Sequence, residues 1–424
     1  MRSTKYPAPN IHRILNKKSI NIIQAGWRIG NLFGIPLFLD YSWFIILLCA
    51  TYVNGQYYQQ EWGSFLAWVA GLVIAVLLFC SVLLHELGHS LVAISQGIKV
   101  NYIRLFLFDG VAGIEREYRT PGETFQVAIA GPLVSFVLFF LLGLTSLFFS
   151  TSSLVGELIN RVAEINLILA IFNLMPGLPL DGGQVLKAAI WKITGSRFVG
   201  VRWAAKSGQV LGWLGIIFGL ILVLVTQSYG GFLLALIGWF VLRNAKFYHR
   251  IIDLQEALIK IKSVEVMTRD FRVVDANLTL SQFSDKYFLK SSRFSLYFAA
   301  SEGRYLGLVS SDAINFIERS YWDTQTLRMI ICPLNQIVTV SEKANLVEVI
   351  NSMEFHQQKH ITVLSPAGAV AGIIDRGDIV RAINRYLKLN ISEAEIKRIK
   401  VEGCYPSGMK LEAIAKATYL SNLK

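Results

Sequence analysis

The stretch Leu83-Leu84-His85-Glu86-Leu87-Gly88-His89 sets two imidazoles and a carboxylate at a spacing that suits hydrolysis. Residues four apart share a helix face, so His85 and His89 can close on one metal ion. Glu86 lies beside them, where a general base for an attacking water is wanted. The surrounding run, about 66–92, is apolar and long enough to cross a bilayer, and an unemployed ionisable group there is costly. Of the six histidines in the chain, only this pair lies inside an apolar run.

The elements around the motif can be placed from hydropathy and charge. Six apolar segments, each near the roughly 20 residues a spanning helix needs, fall at approximately 36–53, 66–92, 124–149, 155–175, 207–227 and 231–247. The fourth carries Glu157, Arg161, Glu164 and Asn166, so it cannot face lipid all round. Six Lys or Arg fall in 1–33, four in 93–123 and five in 183–208, whereas 52–66, 150–160 and 226–232 hold none. By the positive-inside rule, the basic loops and both chain ends are expected on the cytoplasmic side.

That topology supplies a third ligand. The second and fourth segments both run inward, so His85 to His89 sit near the same membrane face as the stretch Asn173 to Gly183. Pro176 and Pro179 stop the helix, and Gly182 and Gly183 allow a turn that larger residues resist. Asp181 is expected there on non-helical backbone, level with the histidines. Two imidazoles and one carboxylate leave a coordination position open, which is the layout of a catalytic zinc site.

Composition agrees. Hydrophobic residues make up 53% of the chain and charged residues 17%, and the apolar excess lies before residue 245. From about 251 onward the chain reads as ordinary soluble protein, so a membrane domain precedes an aqueous one. The net charge of +12 would suit nucleic acid, but its alternation between connections argues against a DNA-binding face, and no nucleic-acid partner is expected. Cys49, Cys80, Cys332 and Cys404 show no paired spacing, which leaves no disulfide framework or cysteine-built metal site. Residues 1–33 are basic without the apolar core of a signal peptide and read as a cytoplasmic lead-in.

Between the second and third segments, Ile103 to Tyr118 reads as two β-rich runs flanking Asp109-Gly110, a hairpin signal. Its edge, with Phe108, Gly110 and Val111, could accept an unwound substrate as an added strand; the alternative is a purely structural ribbon. Ala130-Gly131-Pro132 would let helices approach closely.

These residues together resemble the site-2 protease family of intramembrane zinc metalloproteases, over about residues 26–250. The likeness rests on Arg28-Ile29-Gly30 with Gly34-Ile35-Pro36, the His85 to His89 motif, Gly110-Val111-Ala112, Ala130-Gly131-Pro132, and Asn173 to Gly183. It implies that His85, His89 and Asp181 bind zinc, that Glu86 is the catalytic base, and that Asn173 assists near the transition state. Four positions depart from the family pattern. Asp40-Tyr41 stands where relatives often have a histidine before tryptophan, and Asp109 replaces a usual glycine. Ser135 replaces an asparagine, and Gln184 an arginine. None of these removes a ligand or the base.

The aqueous half carries a weak repeat. Ala276-Asn277-Leu278 matches Ala344-Asn345-Leu346, and Gly307-Leu308-Val309 with Asp312 matches Gly372-Ile373-Ile374 with Asp378. Each copy is expected to run strand, helix, strand, strand, helix. This resembles a pair of CBS domains, a module that commonly binds adenine nucleotides between its copies. The resemblance implies a nucleotide site at Ser310, Asp312 and Asp378, although Asp375 stands in the second copy where a Ser or Thr is usual, and a carboxylate there repels phosphate unless a cation intervenes.

The fold class expected is therefore a polytopic α-helical membrane protein of about six transmembrane helices with a small β-hairpin, followed by a soluble α/β CBS pair. The expected boundaries are 1–33, 34–250, 263–320, 329–388 and a helical tail at 389–424. The expected activity is zinc-dependent cleavage of peptide bonds in or beside transmembrane segments. Its substrates would be membrane proteins of the single-span regulator or remnant signal peptide type, in the cell membrane or a thylakoid-type internal membrane. A CBS-gated metal or small-solute transporter and a catalytically idle client-binding relative are the alternatives. The first lacks the repeated halves that transporters often show, and the intact motif argues against the second.

Overall fold

The computed structural model describes residues 26–106, 109–114, 118–150, 153–227, 229–288, 296–310, 313–406 and 408–422. The chain divides into two units, Met1–His249 and Arg250–Lys424.

In the first unit the expected opening span begins as a strand. β1 (Trp27–Leu32) and β2 (Ile35–Leu39) form a hairpin, and β2 buries Ile35, Leu37 and Leu39 with the two-residue period of a strand. β2 pairs in parallel with β3 (Val100–Phe106), which pairs antiparallel with β4 (Asp109–Ile114), giving the sheet order β1-β2-β3-β4. A parallel pair needs a long crossover, and here that crossover is α1 (Trp43–Ser95).

α1 runs for 53 residues but breaks at Gly63, whose φ of 72° and ψ of 166° are non-helical. Its two arms fold back on each other. A methyl on Gly71 would meet the Thr51 carbonyl oxygen at 2.5 Å, and one on Gly55 would meet the Trp68 ring at 2.9 Å. Tyr58, Ala67 and Ile74 are buried together, and Trp62 stacks on Tyr58 at 4.2 Å. Small residues thus do what they commonly do between membrane helices, letting backbones touch.

α2 (Pro121–Ser146) starts with Thr120 capping Glu123 N–H and a proline in its first turn, and α3 (Leu154–Asn173) starts with Ser153 capping Gly156 N–H. Several polar groups of α3 pair with protein groups. Asn166 is fully buried and donates to Ser81 Oγ at 2.9 Å, Tyr58 OH donates to Glu157 at 3.0 Å, and Arg161 pairs with Glu164.

Two sequence expectations fail here. The basic stretch 183–208 is helical, as α4 (Asp181–Thr194) and the start of α5 (Arg197–Thr226), and Asp181 opens a helix instead of lying on irregular backbone. The charges that marked a loop lie among small residues that pack closely: a Cβ on Gly208 would strike Leu178, and one on Gly200 would lie 2.6 Å from the Lys187 carbonyl. α6 (Tyr229–Lys260) completes the unit and runs past its boundary. Among the described residues, four helices are long and apolar enough to cross a membrane: Trp43–Ser95, Pro121–Ser146, Arg197–Thr226 and Gly230–Lys260.

In the second unit both copies share one strand plan. β5 (Phe271–Asp275) is parallel to β6 (Leu296–Ser301), which is antiparallel to β7 (Arg304–Val309); β8 (Ile331–Pro333) borders β7. β9 (Thr339–Ser341) is parallel to β10 (His360–Leu364), which is antiparallel to β11 (Val370–Asp375). Phe298 of one copy packs with Val370 and Ile373 of the other. α7 (Leu346–Phe355) and α8 (Arg376–Leu387) complete the second copy, and the end of α6 contributes Ala257 and Leu258 to its core.

The first copy lacks the closing helix expected of it. Between β7 and β8 the helical elements among the described residues are three 3-10 turns, Ala313–Phe316, Arg319–Tyr321 and Leu327–Ile330. α8 buries Ile379, Val380 and Ile383 on one face, whereas the counterpart stretch buries Ile314 and leaves Phe316 89% exposed, so a helix there would have little to pack. The tail is two helices, α9 (Glu393–Glu402) and α10 (Leu411–Asn422), with Ile396, Ile399, Leu411 and Ala415 sharing the second copy's core.

Gly71→Val should force the arms of α1 apart at a cost of about 1–3 kcal/mol. Thermal unfolding in detergent should show a lowered midpoint for it and none for Gly143→Val, where a Cβ meets no atom within 4 Å.

Candidate metal centre

His85 and His89 lie in the second arm of α1, one turn apart, and both are held from behind. His89 Nδ1 is 2.6 Å from the Val127 carbonyl oxygen. A carbonyl can only accept, so Nδ1 carries the hydrogen and Nε2 presents a lone pair. His85 Nδ1 is 2.9 Å from Ser135 Oγ, which is fully buried and can accept in the same way. Both Nε2 atoms then face one point. They lie 3.3 Å apart and at 3.0 and 3.1 Å from Asp181 Oδ2.

Asp181 reaches this point because it is the first residue of α4, where the helix dipole favours a carboxylate. The stretch 174–180 before it is pinned by Leu178 N–H to the Ala204 carbonyl at 3.0 Å and by Ser207 Oγ to the Pro176 carbonyl. Gly182 and Gly183 are required by close approach: a Cβ on either would overlap backbone of 174–178. Two imidazoles and a carboxylate within mutual reach form the one cluster of metal-ligating groups found among the described residues. The nitrogen and oxygen donors suit zinc, and three protein ligands leave a position open.

Glu86 is 5% exposed, and the Gly110 backbone hydrogen-bonds its carboxylate. This corrects the reading of Asp109-Gly110 as a turn. Phe106 pairs with Asp109 and Leu105 with Gly110, so Gly110 lies inside β4. A Cβ on Gly110 would sit on the Glu86 side chain, so the glycine is there for closeness and not for a turn conformation. Asn173 is buried with its Nδ2 3.4 Å from His85 Nε2.

The other expected site residues stand as follows. Phe108 and Asp312 lie outside the described residues, and Val111 is described by its backbone in β4. Ser310 uses its hydroxyl to accept Ala313 N–H at 3.3 Å, and Asp378 sits in the first turn of α8. Three contributors were not foreseen as such: Ser135, the Val127 carbonyl and Gly131. A Cβ on Gly131 would overlap His89 Nε2 and lie 2.6 Å from His85 Nε2. Gly131 and Ser135 are four apart on α2, a spacing that would have put both on one face.

Comparison with known proteins identifies the family. The model for peptidase family M50 matches residues 73–162 and 149–211, and that for the CBS domain matches 331–385. A Synechocystis relative named among the zinc metalloproteases is 38% identical over 363 residues, covering 84% of this chain and 95% of its own. A zinc metalloprotease of Methanocaldococcus jannaschii is 29% identical over 357 residues, covering 84% and 96%. The solved site-2 protease from Methanocaldococcus jannaschii is 31% identical, with a TM-score of 0.41, over 53% of this chain and 95% of that one. The chain belongs to peptidase family M50, the site-2 proteases. It is an integral membrane metalloprotease with a CBS domain following its membrane part.

Gly131→Ala should cost the chain its metal while leaving it folded. Elemental analysis should find zinc well below one per chain in that variant and unchanged zinc in Gly143→Ala.

Proposed function

We propose that His85, His89 and Asp181 hold the zinc of this intramembrane peptidase, with Glu86 as its general base and Asn173 as a donor to the reacting group. The observation that carries the assignment is the convergence of two Nε2 atoms and Asp181 Oδ2 on one point beside Glu86. When bound, the zinc supplies Lewis acidity to the attacking water and the scissile carbonyl. Glu86 takes the proton of that water and returns it to the leaving amide nitrogen. The Gly110 backbone holds the carboxylate in place, and burial keeps bulk water from it. Asn173 points its amide toward the same space and can donate to an oxygen carrying developing charge.

A helical substrate hides its peptide bonds behind its own hydrogen bonds and must unwind first. β4 is the outer strand of its sheet and lies against Glu86, so a substrate strand added along Gly110 and Val111 would pass the catalytic carboxylate. The substrate class is a membrane protein of the single-span regulator or remnant signal peptide type.

Six crossings with both chain ends in the cytoplasm fit the charge pattern, the broken α1 supplying two of them. The domain limits proposed are a lead-in at 1–33, the protease at 34–250, CBS copies at 263–320 and 329–388, and a tail at 389–424. Adenine nucleotide on the CBS pair would modulate cleavage.

Glu86→Gln should retain zinc and lose cleavage of a membrane-embedded reporter, at least about a hundredfold. His85→Ala and Asp181→Ala should lose both. Full cleavage by the Glu86 variant would sink the assignment. Gly110→Val, which pushes on Glu86 without touching a ligand, should lower kcat with zinc content unchanged.

A further inference from the structure

The carboxylates of Asp375 and Asp378 have every oxygen engaged. Asp375 caps α8 by accepting Asp378 N–H at 2.8 Å, and Asp378 Oδ2 accepts Asp375 N–H at 3.3 Å. Thr268 Oγ1 stands 3.4 Å from the same Oδ2. The two remaining oxygens, Asp375 Oδ2 and Asp378 Oδ1, lie 3.1 and 2.7 Å from Lys400 Nζ. Lys400 comes from α9, in the tail beyond the second copy.

The helix is clipped at its other end too. Arg381 shares Asp378 Oδ1 at 3.2 Å and reaches Glu393 in the first turn of α9 at 3.1 Å. Between the clips Ile396 and Ile399 are buried. The aliphatic stem of Lys400 lies over Gly377, where a Cβ would overlap its Cγ. The Asp378 side chain is left 1% exposed. Burial and the neighbouring Asp375 charge push the Asp378 carboxyl upward. Burial works against the Lys400 charge, but the hydrogen bond to Asp378 and the charges of both carboxylates leave its ammonium above the usual lysine range. Lys400, partly exposed, thus seats its ammonium on two carboxylates.

We propose that α9 is a latch on the second CBS copy, its Lys400 occupying the position that a nucleotide would take at Asp378. This rests on the reading that the pair takes adenine nucleotide. A ribose hydroxyl has no free acceptor there until Lys400 leaves, so tail docking and ligand binding exclude one another. Linkage makes the effect mutual: nucleotide releases α9, and a docked α9 weakens nucleotide by the same factor. The partner of this charged surface, in the closed state, is the chain's own tail.

The test uses the full chain in detergent, with hydrogen exchange across 393–402 and calorimetric titration with magnesium ATP and with AMP. Lys400→Met keeps the stem over Gly377 and removes the charge. Glu393→Gln opens the outer clip without baring a buried carboxylate, which covers the case in which the first variant fails to fold. Both variants should exchange faster in α9, and Glu393→Gln, which keeps the Lys400 charge beside Asp375, should bind nucleotide a few-fold more tightly than the parent. Saturating nucleotide should release α9 in the parent. Equal affinity in parent and variants, or bound nucleotide with α9 still protected, overturns the latch. Faster exchange in both variants with nucleotide bound by none upholds the latch contact and overturns the nucleotide reading.

Discussion

Two imidazole lone pairs and a carboxylate oxygen held 3.0–3.3 Å apart repel one another unless a cation lies among them. Much of the membrane unit is explained by how it forces that arrangement. Each imidazole is turned by an acceptor behind it, Ser135 Oγ or the Val127 carbonyl, which fixes the nitrogen that faces inward. The carboxylate is delivered by a helix N-terminus whose dipole offsets its charge. Glycine occurs where the backbone must come too near for a side chain: Gly131 against the imidazoles, Gly110 against Glu86, Gly182 and Gly183 against 174–178. The cost of assembling such a site in apolar surroundings explains why its parts are so conspicuous in the sequence.

The same constraint sorts what could be read from what could not. His85 and His89 stood out because polar residues in apolar runs have few other uses, and Asp181 because the topology set it level with them. Asn173 came only with the family resemblance, since nothing in its spacing marks it. The Asp109-Gly110 pair misled because local turn preference and tertiary closeness ask for the same residue, and here Gly110 answers to Glu86. α4 is hidden because Lys187 and Lys192 read as loop charge. The opening strand is masked in a similar way: Ile35 to Leu39 and the start of α1 are both apolar, with only Asp40-Tyr41-Ser42 between them, and hydropathy alone does not say where a strand stops and a helix starts.

The proposed metal site and the proposed substrate edge are tied to one sheet. α1 departs just after β2 and ends just before β3, and the parallel pairing of those strands ties its two ends to one sheet. The histidines therefore cannot shift along the helix axis without disturbing β3, and β3 carries β4. A substrate strand laid on the outer edge of β4 would be registered to the sheet, and so to Glu86, by backbone hydrogen bonds that any sequence can make. That arrangement places selectivity in whether a segment can unwind and reach the edge, more than in its side chains.

The aqueous unit shows how a repeat can keep its strands and lose its symmetry. Both copies retain a parallel pair followed by an antiparallel partner. Among the described residues, the second copy alone keeps a closing helix with a buried face, and the carboxylates at that helix's N-terminus are covered by a lysine from the tail. A buried ion pair of this kind contributes little net stability, because removing both charges from water costs about as much as their attraction returns. Removing one partner is different, since it leaves the other buried and uncompensated. An element held this way is either fully docked or released, with few intermediate positions. That two-state character is what a sensing helix needs, and the apolar contacts of Ile396 and Ile399 alone would not supply it.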